Sequence, residues 1–306
     1  MTFRPDRVIA AAKMVRPFNR RNSMAIERVG VIGGGLMGSG IAEVCARAGS
    51  NVIVHEINPE AAEAALARIE GSLARAVARG KLDEDQRTGI LERITLSTDL
   101  EQQTDRQLLI EAATENEDLK KEIFSDLDEL VPDDALLASN TSSIPITRLA
   151  AATSRPDLVI GMHFFNPVPV MALVELVTTV KTADQTRDTV RAYAESLGKT
   201  VILAKDRAGF VVNMLLIPYI LSAIRMYETG VASAVDIDTG MRLGANHPMG
   251  PLELTDFVGV DTTKYVADVL FEEFKEPLYA SPPLLTRMVE AGLHGRKTGE
   301  GFYKYE

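Results

Sequence analysis

The chain has 306 residues, 46% of them hydrophobic, and a formal net charge of −10. That length suits two domains, and a chain of this size buries about three quarters of its unfolded surface without disulfide staples. The acidic balance argues against nucleic acid as a partner, because that needs a clustered basic surface. No apolar run approaches the ~18 residues of a membrane span, so no membrane partner is expected. A phosphorylated small molecule remains possible, since backbone amides at a helix N-terminus hold phosphate without net positive charge.

Residues 1–26 read as a basic extension expected to be disordered. Its first part carries Arg4, Arg7, Lys13, Arg16, Arg20 and Arg21 against the single acid Asp6. An Arg-rich, acid-poor start also fits an organellar presequence. The lack of an amphipathic period favours a plain tail, with Met24 opening the core protein. From there, Val29-Gly-Val-Ile-Gly33 reads as a buried strand and Leu36 to Ala48 as a helix stopped by Gly49. Asn51-Val-Ile-Val-His-Glu56 is a second strand, and Asn58-Pro59 then caps and opens a helix through Ala78. A further helix is expected over Glu84–Arg93.

Short apolar runs follow at 94–97, 107–113, 135–139, 158–162, 174–177 and 200–203, with helices expected at 119–130 and 183–197. Buried strands alternating with helices predict an α/β fold, a Rossmann-type mainly parallel sheet with helices on both faces. After Asp206-Arg-Ala-Gly209 the strand signal fades. Helices are expected at 211–228, 233–243, 260–274 and 282–291. The division is therefore 27–205 for a sheet domain and 206–306 for an all-α C-terminal domain. The lone Cys45 lies inside the first helix and reads as a buried structural thiol. One cysteine permits no internal disulfide, which agrees with a reducing compartment, and a cytoplasmic location is expected.

Gly33-Gly34-Gly35-Leu36-Met37-Gly38 matches G-x-G-x-x-G, a weak pattern alone. Here it sits between a predicted strand and a predicted helix, the context a dinucleotide site demands. Gly33 permits the turn, Gly35 lets backbone approach a pyrophosphate, and Gly38 lets the helix pack close. Glu56 ends the second strand, where a carboxylate bonds the adenine ribose hydroxyls and repels a 2′-phosphate. NAD is expected over NADP. The bland alternative is a glycine-rich turn without purpose, and Glu56 counts against it.

Four histidines exist. His163 directly follows a predicted strand, and open α/β sheets bind ligands beyond strand C-termini. A histidine base suits removal of a hydroxyl proton near neutral pH. A lone histidine is nonetheless structural more often than catalytic. His55, His247 and His294 lie at a strand end, in a proline turn and in a basic loop. Glu175 interrupts an apolar strand, costly unless paired, and His163 is a candidate partner. Asn213 interrupts the apolar start of the long helix and needs hydrogen bonds if buried. The Ser139–Ser143 turn reads as capping unless a ligand meets it. No metal-ligand cluster is evident.

Five ordered motifs carry a resemblance: Ala138-Ser-Asn-Thr-Ser-Ser143, His163-Phe-Phe-Asn-Pro167, Gly209-Phe-Val-Val-Asn213, His247-Pro-Met-Gly-Pro251 and Lys297-Thr-Gly-Glu-Gly-Phe-Tyr303. Together they resemble the L-3-hydroxyacyl-CoA dehydrogenase family over nearly all of 27–306. With no fused hydratase region, the chain looks most like the bacterial 3-hydroxybutyryl-CoA branch. The resemblance implies an NAD-dependent oxidoreductase acting on a short-chain acyl-CoA, and a homodimer. It assigns His163 as general acid/base and Glu175 as its orienting partner. Ser142 and Asn213 would be catalytic and substrate-positioning residues, and Asn166 a substrate contact. Glu115 and Lys120 would lie near the cofactor ribose and phosphates, with Asn140 and Ser142 flanking the nicotinamide. The alanine-rich stretch after Glu56, with Arg68 and Arg75 its first basic residues, departs from the family's CoA contacts. Two other functions stay open: a hydroxy-acid or sugar-acid dehydrogenase that needs no CoA, and a catalytically silent, crystallin-like member.

Overall fold

The computed structural model describes residues 26–305, so the basic extension lies outside the described residues except for Ile26. Eight strands form one sheet: β1 (Arg28–Ile32), β2 (Asn51–His55), β3 (Ile94–Ser97), β4 (Leu108–Glu111), β5 (Leu136–Ser139), β6 (Val159–Phe164), β7 (Leu173–Thr178) and β8 (Thr200–Lys205). Their spatial order is β3-β2-β1-β4-β5-β6-β7-β8. Neighbouring pairs are parallel except β6 and β7, which run antiparallel. The sheet is thus mainly parallel, as the alternating pattern predicts.

Helices α1 (Leu36–Arg47), α2 (Pro59–Ala78), α3 (Glu84–Leu91), α4 (Glu117–Leu130), α5 (Ile146–Ala150) and α6 (Asp184–Ser196) connect the strands. Five more follow: α7 (Val212–Glu228), α8 (Ala234–Gly244), α9 (Pro251–Val258), α10 (Val260–Phe274) and α11 (Pro283–Glu290). The sheet is covered on two sides. One apolar cluster joins α1 and α2 to the sheet through Ile41, Val44, Ile69 and Leu73. Another joins α4 and α5 through Phe124, Leu127, Ile146 and Leu149. Such double coverage explains why the strands read as continuous apolar runs. A third cluster, around Ile220, Leu221, Leu252 and Leu270, is the core of the helical part.

Local chemistry sets several boundaries. Asn58 accepts a hydrogen bond from the Ala61 amide and Pro59 opens α2. Asp83 and Gln86 form a reciprocal capping box at α3. Two short helices, α5 and α9, fall where the sequence predicts none. Asp206 makes the first possible, accepting from the amides of Ile146 at 2.8 Å and Thr147 at 2.7 Å. Asp238 does the same for α9, accepting from Leu252 at 2.9 Å and Glu253 at 2.8 Å. In both cases the cap comes from a distant part of the chain, which local sequence cannot reveal.

Candidate active site

The sheet order reverses direction at β1, leaving a crevice between β1 and β4 beyond their C-terminal ends. The glycine turn sits there. Gly33 has φ +96°, in the range glycine tolerates. A Cβ on Gly38 would stand 1.7 Å from the Gly33 carbonyl oxygen, so α1 can meet the turn only without one. A Cβ on Gly35 would meet no protein atom within 4 Å. These are three different requirements, and the third leaves open space against a bare backbone, as a pyrophosphate needs. Leu36 is exposed at the start of α1, while Met37 packs against the core. Glu56 reaches the same turn, its Oε1 accepting from the Gly34 amide at 2.6 Å. Arg68 lies nearby, its Nη1 donating to the Gly34 carbonyl at 3.4 Å. The turn, the first amides of α1 and the Glu56 carboxylate fit a dinucleotide whose ribose carries free hydroxyls.

His55 stands beside Glu56 but plays another part. Desolvation holds its pKa below the usual imidazole value, outweighing the pull of Glu56 and Asp99. Its backbone carbonyl accepts from the Gly33 amide at 2.9 Å.

The antiparallel hairpin brings His163 and Glu175 together. His163 is a residue of β6 rather than of a loop after it, because β6 continues through Phe164, which pairs with Val174. The sequence-based end at 162 is corrected by that pairing. His163 lies directly opposite Glu175, so both side chains share a face. Glu175 is fully buried and His163 nearly so. Their contact, His163 Nδ1 to Glu175 Oε2, is 2.7 Å. A carboxylate only accepts, so Nδ1 carries the proton and Nε2 is left as the basic atom. Ser142 Oγ lies 3.0 Å from that Nε2 and donates to it. Serine, imidazole and carboxylate form one chain ending at a half-buried hydroxyl. Pairing is what makes the buried Glu175 affordable in an apolar strand.

Glu175 spends its second oxygen elsewhere. Oε1 accepts from the amides of Val211 at 3.1 Å and Val212 at 3.0 Å, the N-terminus of α7. The carboxylate therefore holds the histidine and the first helix of the helical part together. Asn213, half-buried in the first turn of α7, comes with it. Just before, Phe210 adopts φ +46°, a left-handed conformation that costs a non-glycine residue about 1–2 kcal/mol.

The Ser139–Ser143 turn is held from below. Glu115 Oε1 accepts from the Thr141 hydroxyl, from the Ser143 hydroxyl at 2.8 Å and from the Ser142 amide at 3.2 Å. Lys120, 1% exposed, ion-pairs with Glu111 at 2.5 Å and with Glu115 at 3.3 Å. Its ammonium is thus covered by protein, and it reaches the cleft through Glu115. Glu111 also accepts from Ser139 Oγ at 2.6 Å. The Asn140 side-chain oxygen accepts from the Phe164 amide at 2.9 Å, tying the turn to the hairpin. Asn166 is exposed in the loop between β6 and β7 and precedes a cis proline. Sequence reasoning passes over Glu111, Asp206 and Phe210. Glu111 carries the same signal as Glu175, a lone carboxylate in an apolar strand.

His247 and His294 lie apart from this chain. His247 Nδ1 meets the Tyr219 hydroxyl at 3.1 Å, and His294 Nε2 meets the Val289 carbonyl at 3.2 Å. Among the described residues, no group of three or more His, Cys, Asp or Glu could hold a metal ion. No helix among them is long and apolar enough to cross a membrane.

A dinucleotide crevice beside a serine–histidine–carboxylate chain defines a nicotinamide-linked dehydrogenase of hydroxy compounds. Comparison with known proteins narrows the class. Residues 28–207 match the family profile described as 3-hydroxyacyl-CoA dehydrogenase, NAD binding domain, and residues 209–305 match the C-terminal domain of the same family. The chain belongs to the 3-hydroxyacyl-CoA dehydrogenase family and is an NAD-dependent enzyme of that kind. The 3-hydroxybutyryl-CoA dehydrogenase of Mycobacterium tuberculosis H37Rv is 56% identical over 285 residues, spanning 92% of this chain and all of its own. The crystal structure of M. tuberculosis FadB2 superposes with a TM-score of 0.91 at 56% identity, covering 92% of this chain and 100% of that one. That of (S)-3-hydroxybutyryl-CoA dehydrogenase PaaH1 from Ralstonia eutropha gives 0.89 at 48% identity, with coverages of 92% and 100%.

Proposed function

We propose that this dehydrogenase interconverts a short-chain L-3-hydroxyacyl-CoA, 3-hydroxybutyryl-CoA, with its 3-oxo counterpart, using His163 as the acid/base. The observation that carries the reading is the Ser142–His163–Glu175 chain, whose proton arrangement leaves Nε2 basic and facing Ser142. The choice of a four-carbon acyl group follows the relatives named 3-hydroxybutyryl-CoA dehydrogenase.

NAD, when bound, supplies the nicotinamide carbon that takes the hydride from C3. Gly33, Gly35 and Gly38 shape the turn for its pyrophosphate, with the amides of Leu36 and Met37 at the positive end of α1. Glu56 would hold the adenine ribose hydroxyls. Glu115, Asn140 and Ser142 would hold the nicotinamide end, and Lys120 pairs with Glu115. With substrate bound, the Ser142 hydroxyl would give its one proton to the substrate oxygen instead of to Nε2, leaving Nε2 free. His163 Nε2 removes the 3-hydroxyl proton as the C–H bond breaks, and in reverse returns it to the alkoxide. Glu175 stabilises the imidazolium formed at that moment. Asn213, arriving with α7, and Asn166, from the hairpin loop, complete the substrate's surroundings. Closing the cleft over these groups excludes water and aligns C3 with Nε2.

We also place the enzyme in solution as a homodimer. The helical part exposes Leu215, Val235, Leu243, Phe257 and Val258, which a second copy would cover. A monomer mass by light scattering overturns that. The buried lone thiol is in keeping with work in the cytoplasm.

The test is reduction of acetoacetyl-CoA followed by loss of NADH absorbance. In His163→Gln, kcat falls about a hundred- to ten-thousandfold while the NADH KM stays near the wild-type value. Undiminished kcat removes His163 from the step. A series of 3-oxoacyl-CoA lengths checks the four-carbon preference, and free acetoacetate in place of the thioester checks the need for CoA.

A further inference from the structure

The motif Gly209-Phe-Val-Val-Asn213 contributes more to the site than Asn213. We propose that Phe210 is a positioning residue for His163. Through it, the junction between the sheet and the helical part sets the orientation of the imidazole.

Three observations meet at this residue. Its backbone is left-handed, with φ +46°, directly after Gly209 at φ +75°. An L side chain accepts that geometry only when surrounding structure fixes it. Its ring is 5% exposed, and it is not part of the helical core although it adjoins α7 in sequence. It packs instead in the sheet-side cluster with Ile144, Ile146, Val177 and Ala204. That ring meets the imidazole of His163 edge to face, with centroids 5.5 Å apart and planes at 62°. A second aromatic, Phe165, lies 4.6 Å from the same ring, tilted by 55°.

The two residues after Phe210 strengthen the case. The amides of Val211 and Val212 donate to Glu175 Oε1, while Oε2 of that carboxylate holds His163 Nδ1. Residues 210–212 therefore touch both members of the pair, the ring against the histidine and the backbone against the glutamate. A relaxed, extended backbone at 210 would redirect the ring and the two amides together. The unusual φ is what lets one short segment grip both. Hydrogen bonds at Nδ1 and Nε2 and the bond to Cβ set the ring plane but still allow small tilts that would misaim Nε2. An aromatic edge packed on the ring removes that freedom, and holding the base aligned with C3 is worth rate.

The proposal rests on His163 being the base, and the experiment keeps the two apart. Phe210→Leu, Phe210→Ala and Phe210→Tyr are compared with wild type and with His163→Gln in acetoacetyl-CoA reduction. Each is assayed at a temperature well below its own Tm. Expected are a loss in kcat of about 10- to 100-fold for the leucine and alanine variants, KM for NADH changed less than about threefold, and recovery with tyrosine. A lowered Tm with wild-type kcat makes Phe210 purely structural and overturns the proposal. Undiminished kcat in His163→Gln overturns the reading beneath it instead. Should the alanine variant fail to fold, the leucine variant decides. The 15N imidazole signals of His163 give a second readout without turnover. Sharp signals with Nδ1 protonated are expected in wild type, and broadened signals from a mobile ring in Phe210→Leu. Unchanged sharp signals together with wild-type kcat overturn the proposal.

Discussion

Both halves of the molecule bury carboxylates, and they use them differently. In the helical half, Asp256 accepts from the amides of Phe302 and Tyr303, each at 2.9 Å, and from the Tyr305 hydroxyl at 2.9 Å. Asp238 accepts from the amides of Leu252 and Glu253 and from the Tyr303 hydroxyl. Every donor there is neutral and keeps its proton at ordinary pH. These acids pin the last segment of the chain to α8 and α9. In the sheet half, Glu175 shares its load between two backbone amides and an imidazole. Only the last can gain and lose charge during a reaction. A buried carboxylate saturated by fixed donors is a rivet. One that leaves an oxygen to a titratable ring can respond to a change of charge there.

Substitution should separate the two. In Glu175→Gln, an amide nitrogen facing Nδ1 donates where the carboxylate accepted. The imidazole then has to place its proton on Nε2, the wrong tautomer for a base. A fall in kcat of about a thousandfold or more is expected, with a modest change in Tm, measured by NADH oxidation and calorimetry. Asp256→Ala should do the converse. It strands buried amides and lowers unfolding stability by about 3 kcal/mol in urea titration, while kcat below the Tm stays within about threefold of wild type. Equal kcat losses in the two variants would mean that both carboxylates act alike.

The glycine turn permits a smaller test within the sheet half. Gly38→Ala forces a Cβ against the Gly33 carbonyl, so both stability and NADH binding should suffer. Gly35→Ala meets only open space, so Tm should hold while the NADH KM rises about tenfold or more. A Gly35→Ala variant with normal KM would mean that the pyrophosphate lies elsewhere. The smallest effect concerns Cys45, whose thiol burial pushes up to about 12. The thiolate is the reactive form, so at pH 8 only about one in ten thousand is ionised. Iodoacetamide should leave the native protein unlabelled and active, and labelling should begin only on unfolding.

Much of this was readable from residues in order. The inner strands announce themselves as apolar runs because helices cover both sheet faces, while the edge strands β3 and β8 are only partly buried. Glu175 stands out because a charge among Val174, Leu176 and Val177 demands a partner. Other features were out of reach for definite reasons. The caps of α5 and α9 come from Asp206 and Asp238, distant in sequence. That β6 carries His163 within it depends on pairing with β7, and nothing in Met162-His163-Phe164 marks the strand's end. The burial of Lys120 depends on Glu111, on another element. The left-handed backbone of Phe210 leaves no trace in composition, since its neighbour Gly209 would satisfy a turn alone.

The hairpin has one more consequence. His163 and Glu175 meet because they are register partners on antiparallel strands, and side chains alternate faces at every step. One residue inserted into β6 or β7 would swing a member of the pair to the opposite side of the sheet, whatever residue was inserted. The same insertion among residues 165–172 would leave the register untouched. For anyone redesigning this enzyme, the two strands are a unit to be moved whole, and added length belongs near the exposed Val170 of the loop, away from Phe165 and Asn166.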